Sequence, residues 1–270
     1  MAFAFGENQF PIIAGPCVIE SAEHVVFMAE RLAELGHDLG IELLFKTSFD
    51  KANRTSGDSY RGIGLEAALP IFSRIKAQTG LPVLTDVHLP EQPAQLKEAV
   101  DVLQIPAFLC RQTDLLEAAA ATGLAVNVKK GQFLSPWEVG AIIAKLQNAG
   151  SSSFAITERG TSFGYNNLVS DMRAIPIMQE LGAFVIFDAS HSAQLPGAQG
   201  NATGGLRKYI PALARAAVAA GCDGLFIEVH DRPEQALSDA ATQWPLDRLE
   251  PLLRELLDLR RVYLEHRNGD

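Results

Sequence analysis

The chain has 270 residues, of which 47% are hydrophobic and 20% are charged. This is enough apolar material for one large core, and barrels of alternating strands and helices often reach this length as a single domain. The formal net charge of −9 at pH 7 argues against a general attraction to nucleic acid or to an anionic membrane. An anionic ligand must therefore be bound by a local group of cations, so the positions of the basic residues are informative.

Neither the amino terminus nor the cysteines indicate export. No lysine or arginine precedes Arg31, whereas signal and transit peptides carry basic residues near their start. No apolar stretch reaches the roughly 18 residues that a membrane span requires. Cys17, Cys110 and Cys222 are odd in number and lack CxxC spacing, which argues against a disulfide framework. We therefore predict a cytoplasmic protein in a reducing environment.

Short apolar runs alternate with longer amphipathic stretches along the whole chain. The short runs are almost continuously apolar, as expected for parallel strands that are covered on both faces. We predict strands at 11–14, 42–46, 82–86, 100–104, 124–128, 153–157, 183–188 and 223–228. We predict helices at 23–39, 65–78, 91–99, 112–121, 136–148, 168–180, 205–220 and 246–264.

Eight strand-then-helix units predict an α/β fold, a (β/α)8 TIM barrel, as a single domain over residues 1–270. Five glycines stand between a helix and the next strand, where a left-handed C-cap is expected. They are Gly80, Gly123, Gly150, Gly182 and Gly221. We expect the first residues either to form a small hairpin or to cap the amino end of the barrel.

Two of the predicted βα loops, 47–64 and 189–204, are long and polar. Loops of this length in a compact domain are usually functional. Within the first, residues 62–67 match GxGxxA, but they follow a polar segment rather than a strand. We interpret these glycines as a tight turn into a helix, and we expect no nucleotide or organic cofactor.

The carboxyl ends of barrel strands and the loops that follow them form the active site in this fold. Four of the eight lysines fall there, at positions 46, 51, 129 and 130, although lysines usually lie on solvated helix surfaces. With nearby arginines they carry enough charge for two phosphate-like groups. This cationic group comprises Lys46, Lys51, Lys129, Arg54, Arg111 and Arg159.

A second constellation follows strands 1, 7 and 8, which are neighbours in a closed barrel. It comprises Cys17, His191, Glu228 and Asp239. One thiolate, one imidazole and two carboxylates suit a divalent ion such as Zn²⁺, Fe²⁺ or Mn²⁺. The residues alone leave a second interpretation open, in which Cys17 is a buried thiol and His191 a loop residue.

Seven motifs follow the predicted strands in chain order. They are Phe45–Ser56 (FKTSFDKANRTS), Leu84–His88 (LTDVH), Gln104–Asp114 (QIPAFLCRQTD), Asn127–Phe133 (NVKKGQF), Glu158–Tyr165 (ERGTSFGY), Phe187–His191 (FDASH) and Phe226–His230 (FIEVH). These stretches closely resemble the family of 3-deoxy-D-manno-octulosonate 8-phosphate synthases. That family condenses phosphoenolpyruvate with arabinose 5-phosphate in lipopolysaccharide biosynthesis. The alternative is the related synthase of the seven-carbon acid of the shikimate pathway, which should lack FDKANR.

The resemblance implies a role for each matching residue in binding phosphoenolpyruvate. Lys129 and Arg159 would hold its phosphate, and Lys46 and Lys51 would lie near its carboxylate and reacting carbons. Two glutamines would line the same pocket, Gln104 and Gln132.

The resemblance also implies residues for the second substrate and for proton transfer. Asn53 and Arg54 would bind the pentose phosphate, and Arg111 would reach its phosphate from a neighbouring subunit of a homotetramer. Asp86 and His88 would lie beside the reacting atoms. Together with Lys51 and Asp239, they are the candidate catalytic residues.

The family has a metal-dependent and a metal-independent branch, and the latter carries Asn where this chain has Cys17. Both AGPC, at 14–17, and SDAATQWP, around Asp239, resemble the metal-dependent branch. The resemblance therefore implies a divalent ion on Cys17, His191, Glu228 and Asp239, with the cysteine as a ligand rather than a nucleophile. Two other functions were weighed: a Schiff-base aldolase using Lys129, and a non-catalytic sugar-phosphate sensor.

Overall fold

The computed structural model describes residues 3–6, 9–52, 57, 59–199 and 202–267, without the side chains of residues 198, 199, 202 and 203. Asn53 and Arg54, which were predicted to bind the pentose phosphate, lie outside the described residues. Among the helices that are described, none is both long and apolar enough to cross a membrane.

Eight parallel strands form a closed barrel, because β1 pairs with β2 on one side and with β8 on the other. The predicted (β/α)8 TIM barrel is therefore confirmed, and each predicted strand start lies within two residues of the observed one. The barrel strands are β1 (Ile12–Gly15), β2 (Leu43–Lys46), β3 (Val83–Asp86), β4 (Val102–Ile105), β5 (Ala125–Lys129), β6 (Phe154–Glu158), β7 (Phe184–Asp188) and β8 (Gly224–His230).

Eight α-helices follow the strands and pack their apolar faces on the outside of the barrel. Helix α1 begins after Ser21, whose side chain accepts a hydrogen bond from the His24 amide (3.1 Å), a usual N-cap. The five glycines that were predicted to follow helices all have φ between +69° and +88°, as expected for left-handed C-caps. The helices are α1 (Ala22–Leu39), α2 (Leu65–Thr79), α3 (Gln92–Leu96), α4 (Thr113–Ala120), α5 (Val139–Asn148), α6 (Ala174–Glu180), α7 (Ile210–Ala219) and α8 (Leu249–His266).

Two predicted helices begin later than expected, because short antiparallel hairpins precede them. Residues 161–162 pair with 168–169, so α6 begins at Ala174 rather than at 168. Residues 194–199 pair with 202–205, so α7 begins at Ile210, with a proline in its first turn. Two-residue strands are too short to show a period of two, and apolar residues within them were assigned to the following helix.

The interior of the barrel is filled by one apolar side chain from each strand. These are Ile13, Leu44, Leu84, Val102, Ala125, Ala155, Ile186 and Phe226. Phe3 and Phe5 pack beneath this layer together with Phe184, and the rings of Phe5 and Phe184 lie 5.5 Å apart. No strand occurs within the described residues 3–6, so of the two expectations the amino-terminal segment forms the cap.

Candidate active site

A cavity of about 440 Å³ opens at the carboxyl ends of the strands. Most of the site residues that the sequence predicted lie together around it, although strands on opposite sides of the barrel supply them. The predicted residues in its lining are Lys46, Lys51, Asp86, His88, Gln104, Lys129, Gln132, Arg159, His191, Glu228 and Asp239.

The buried lysines of this cavity are paired with carboxylates from other strands. Lys46 Nζ donates to Glu228 Oε1 (2.6 Å) and to the Cys17 carbonyl (2.9 Å). Lys129 donates to Asp188, and its Nζ lies 3.0 Å above the centre of the Phe226 ring. A buried ammonium needs such a partner, because its desolvation is otherwise uncompensated. The predicted cationic group and metal constellation are therefore joined by ion pairs.

Burial and pairing shift the protonation of these groups in opposite directions. Burial lowers the pKa of Lys129 to about 8, although the neighbouring Asp188 raises it. For Asp188, burial alone would raise the pKa, but the charges of His191 and Lys129 hold it well below its usual range. Asp188 is therefore a carboxylate at neutral pH, and Lys129 is an ammonium that can lose its proton in mildly alkaline solution.

A chain of side-chain hydrogen bonds crosses four strands and ends on Asp86. Thr157 Oγ1 donates to Asn127 Oδ1 (2.7 Å), and Asn127 Nδ2 donates to Gln104 Oε1 (2.8 Å). Gln104 Nε2 in turn donates to Asp86 Oδ1 (2.5 Å). Because each amide both accepts and donates, the orientation of Gln104 is fixed and one oxygen of Asp86 is held in place.

The other oxygen of Asp86 accepts hydrogen bonds from the Ser48 hydroxyl and from Lys51 Nζ (3.5 Å). Burial alone would raise the pKa of Asp86, but the charges of Lys51 and Lys46 hold it well below its usual range. The adjacent His88 ring has its pKa lowered by burial, although Asp86 raises it. The site therefore combines an oriented carboxylate with a neutral imidazole.

Several of these supporting residues were not predicted from the sequence. Thr157 and Ser48 were not identified, and Asn127 and Asp188 were noted at strand ends without an assigned role. The available signal was the alternation of strands, since Asn127 and Thr157 stand two residues before Lys129 and Arg159 and so share their inward face.

The four predicted metal ligands converge on one side of the cavity, and we call them the metal cradle: Cys17, His191, Glu228 and Asp239. Asp239 Oδ2 lies 3.4 Å from Cys17 Sγ and 3.6 Å from His191 Nε2, which is 3.8 Å from Glu228 Oε1. Ligands at 2.0–2.3 Å around a tetrahedral ion lie roughly 3.3–3.8 Å from one another. These separations fit a divalent ion.

Neighbouring groups orient the ligands of the metal cradle. Asp188 Oδ2 lies 2.7 Å from His191 Nδ1, and Asp188 Oδ1 accepts from the His191 amide (2.9 Å). A carboxylate behind an imidazole is typical of metal-binding histidines and directs the other nitrogen at the ion. Asp239 has φ +48°, in the left-handed region, and its carbonyl accepts from the amides of Thr242 and Gln243. This turn holds the Asp239 side chain towards the barrel.

The donor atoms themselves call for a cation. Glu228 Oε2 is buried and has no hydrogen-bond partner among the described residues, and such an atom usually signals an unseen water or ion. Burial raises the pKa of the Cys17 thiol, and the charges of Asp239 and Glu228 raise it further. Cys17 is thus a poor nucleophile in these surroundings, and a bound cation would be needed to make it a thiolate.

Close approach of β1 and β2 places Cys17 beside Lys46. Gly15 has φ +152°, and a Cβ on it would lie 2.0 Å from the Lys46 carbonyl oxygen. No other residue fits this position without moving a strand. The glycine of the AGPC motif therefore has a structural reason for its place before the cysteine.

Arg111 is the described candidate that the structure leaves outside the cavity lining. It is exposed at the start of α4, and its carbonyl accepts from Lys145 Nζ (2.9 Å). Cys110 and Cys222 are buried in the core between helices and strands, and burial raises the pKa of both thiols. Their surroundings are those of structural cysteines.

Comparison with known proteins was made against family models and curated sequences. The model described as the DAHP synthetase I family matches residues 3–264. The chain belongs to the DAHP synthetase I family. Three similar proteins are each named 2-dehydro-3-deoxyphosphooctonate aldolase. That of Rhodopseudomonas palustris (strain ATCC BAA-98 / CGA009) is 60% identical over 254 residues, 93% of this chain and 88% of the relative.

The other two relatives come from further bacteria. That of Bradyrhizobium sp. (strain ORS 278) is 58% identical over 253 residues, 93% of this chain and 88% of its own. That of Brucella ovis is 58% identical over 257 residues, 94% of this chain and 93% of its own. Within the DAHP synthetase I family, these relatives carry the name of the eight-carbon-acid enzyme. The resemblance is confirmed, and the seven-carbon-acid alternative is not favoured.

Replacing Asp188 with Asn should destabilise this member of the DAHP synthetase I family strongly. The change leaves Lys129 buried without its counter-charge, and breaking a buried pair in this way costs about 3–5 kcal/mol. We expect that loss in urea unfolding of chelator-treated protein. Asp171→Asn, which removes an exposed pair with Arg173, is the control and should change little. Equal stability of the two variants would contradict the role of Asp188.

Proposed function

We propose that the chain is a 3-deoxy-D-manno-octulosonate 8-phosphate synthase. It condenses phosphoenolpyruvate with D-arabinose 5-phosphate and water, and it releases inorganic phosphate. The observation that carries this proposal is the roughly 60% identity, over 93% of the chain, to enzymes named 2-dehydro-3-deoxyphosphooctonate aldolase. The chain is accordingly a transferase, and its reaction belongs to lipopolysaccharide biosynthesis.

Binding of phosphoenolpyruvate falls to the cations around the cavity. Lys129 and Arg159 hold its phosphate, and Lys46 and Lys51 lie towards its carboxylate. Arg159 is buried and donates to Gln194 Oε1 (2.7 Å) at the base of the hairpin 194–205, so its guanidinium is held in one orientation. Fixed cations of this kind stabilise charge without reorganising during the reaction. Gln104 and Gln132 supply polar contacts in the same pocket.

Proton transfer falls to the group around Asp86. The reaction forms a bond from C3 of phosphoenolpyruvate to the aldehyde carbon, adds water at C2 and breaks the C–O bond to phosphate. Burial lowers the pKa of Lys51, but the charges of Cys17 and Asp86 outweigh it and hold this pKa well above its ordinary value. Lys51 therefore holds a proton at Nζ, Asp86 can accept one, and neutral His88 can do either.

We assign a divalent ion, Zn²⁺, Fe²⁺ or Mn²⁺, to the metal cradle of Cys17, His191, Glu228 and Asp239. The distances, the unpartnered Glu228 oxygen and the mixed S, N and O donors support this assignment. When bound, such an ion supplies Lewis acidity for an aldehyde oxygen. The chain's own contribution is to orient His191 through Asp188 and to hold Asp239 in its left-handed turn.

The remaining expectations concern assembly and location. We propose that Arg111 acts at the active site of a neighbouring subunit in a homotetramer, and its exposure outside its own cavity supports this. Asn53 and Arg54 stay predicted ligands of the pentose phosphate. A cytoplasmic location, with small molecules rather than nucleic acid or membranes as partners, also stays a prediction.

Phosphate release from phosphoenolpyruvate should depend on the acceptor sugar. Arabinose 5-phosphate should support turnover at least about 100-fold better than erythrose 4-phosphate, because polar pockets discriminate strongly against missing hydroxyls. A colorimetric phosphate assay measures this. Preference for erythrose 4-phosphate would favour the seven-carbon acid, and binding without phosphate release would favour a sensor. Trapping of Lys129 by borohydride would favour a Schiff-base aldolase.

Removing the metal should abolish activity. Chelator-treated protein should lose turnover and regain it with Zn²⁺ or Mn²⁺, because the metal cradle cannot supply a Lewis acid without the ion. Cys17→Ala should lack both metal and restorable activity, as measured by elemental analysis and phosphate release. Cys222→Ala, which removes a thiol in the core, is the control. Full activity of metal-free wild type would refute the assignment.

Activity should fall in alkaline solution as Lys129 loses its proton. With a pKa of about 8 in the free enzyme, the charged form prevails below that pH and disappears above it. We expect kcat/KM for phosphoenolpyruvate to decline by about tenfold per pH unit above that point. Lys129→Arg keeps its charge throughout and should lose this decline. The same alkaline limb in both proteins would show that another group is responsible.

A further inference from the structure

A second group of potential metal ligands lies outside the metal cradle, where the loop after β1 meets the end of β8. Glu20 follows β1, His24 lies in the first turn of α1, and His230 ends β8. One carboxylate oxygen and two ring nitrogens of these residues lie within 4.8 Å of one another. None of the three lines the active-site cavity, so the mechanism proposed above does not use them.

Two ring nitrogens in this group are buried without a hydrogen-bond partner among the described residues. They are Nδ1 of His24 and Nε2 of His230. Nε2 of His230 lies 3.4 Å from Glu20 Oε1, but the contact is too poorly aligned for a hydrogen bond. His230 is only 2% exposed. A buried polar atom left in this state is a sign of an unseen ion or water.

The opposite nitrogens of the two rings are held by one carboxylate. Asp231 Oδ1 lies 2.9 Å from His24 Nε2 and 3.1 Å from His230 Nδ1. Such a carboxylate behind an imidazole fixes the ring and favours metal binding through its other nitrogen. The Arg232 amide also approaches His230 Nδ1 (2.9 Å). Binding through Nε2 therefore moves the ring hydrogen to Nδ1, where Asp231 accepts it.

We propose that Glu20, His24 and His230 form a second divalent-cation site, with Asp231 orienting both imidazoles. Two histidines and one glutamate are a usual zinc donor set that leaves one position for water. The 3.4 Å between His230 Nε2 and Glu20 Oε1 is close to the roughly 3.3 Å between ligands of a tetrahedral ion. The site has no sulfur donor, which distinguishes it from the metal cradle.

The two sites share the loop that follows β8. Glu20 Oε1 accepts a hydrogen bond from the Leu237 amide (2.8 Å). The next two residues contact the metal cradle, since the Ser238 hydroxyl lies 2.8 Å from Cys17 Sγ and Asp239 is a ligand. A cation on Glu20 therefore holds the base of the loop that supplies Asp239.

Titration of chelator-treated protein with Co²⁺ tests the proposal. A thiolate ligand adds a near-ultraviolet charge-transfer band, whereas a site of nitrogen and oxygen donors gives only weak visible bands. Wild type should bind two Co²⁺ ions per chain, one of them with the thiolate band. His24→Ala should bind one ion and keep the band, and Cys17→Ala should bind one ion without it. His37→Ala, at the exposed end of the same helix, should still bind two.

The outcomes separate this site from the proposed function. One ion per chain without the thiolate band in wild type, lost in His24→Ala, would support the second site and count against the metal cradle. One ion with the band, unchanged in His24→Ala, would overturn the second site. Glu20→Gln serves if His24→Ala fails to fold, as judged by circular dichroism. Two ions retained in Glu20→Gln would overturn the proposal equally.

Discussion

Pairing of buried lysines with carboxylates on other strands is the constraint on which the active site depends. A closed barrel brings the carboxyl ends of all its strands together, so charges placed there for chemistry are also buried together. Lys46 is neutralised by Glu228 across β1, and Lys129 by Asp188 across β6. Such pairs add little stability in themselves, but losing one partner is costly. Residues of the site are therefore hard to change singly.

The same pairing changes how substrate binding is understood. The predicted cations do not form a free arc facing the metal cradle, because Lys46 contacts Glu228 and Lys129 contacts the carboxylate that orients His191. An anionic substrate that engages these lysines must compete with carboxylates already in place. The gain is rigidity, since cations held by partners need not reorganise when charge develops. Substrate recognition and ligand orientation are thus carried by shared residues.

Much of the fold and of the site composition could be predicted, for physical reasons. Strands buried on both faces are nearly continuous apolar runs, and barrel topology then assigns every polar residue after a strand to one end. The hairpins at 161–169 and 194–205 were missed because their strands are short and Gly-rich or polar. Ser48 and Thr157 were missed because hydroxyl residues are common everywhere. Which carboxylate pairs with which lysine depends on rotamers and burial, which sequence patterns do not encode.

The aromatic cap at the amino end of the barrel connects the start of the chain with the catalytic cations. Phe3 and Phe5 pack against the interior layer that includes Phe226, and Lys129 rests on the opposite side of that ring. The layer is one side chain thick, so the cap supports the floor on which a substrate-binding lysine stands. Purification tags or fused partners joined at this end then act on the kinetics from beneath. Preparations that differ only in such an extension should be compared before their rate constants are.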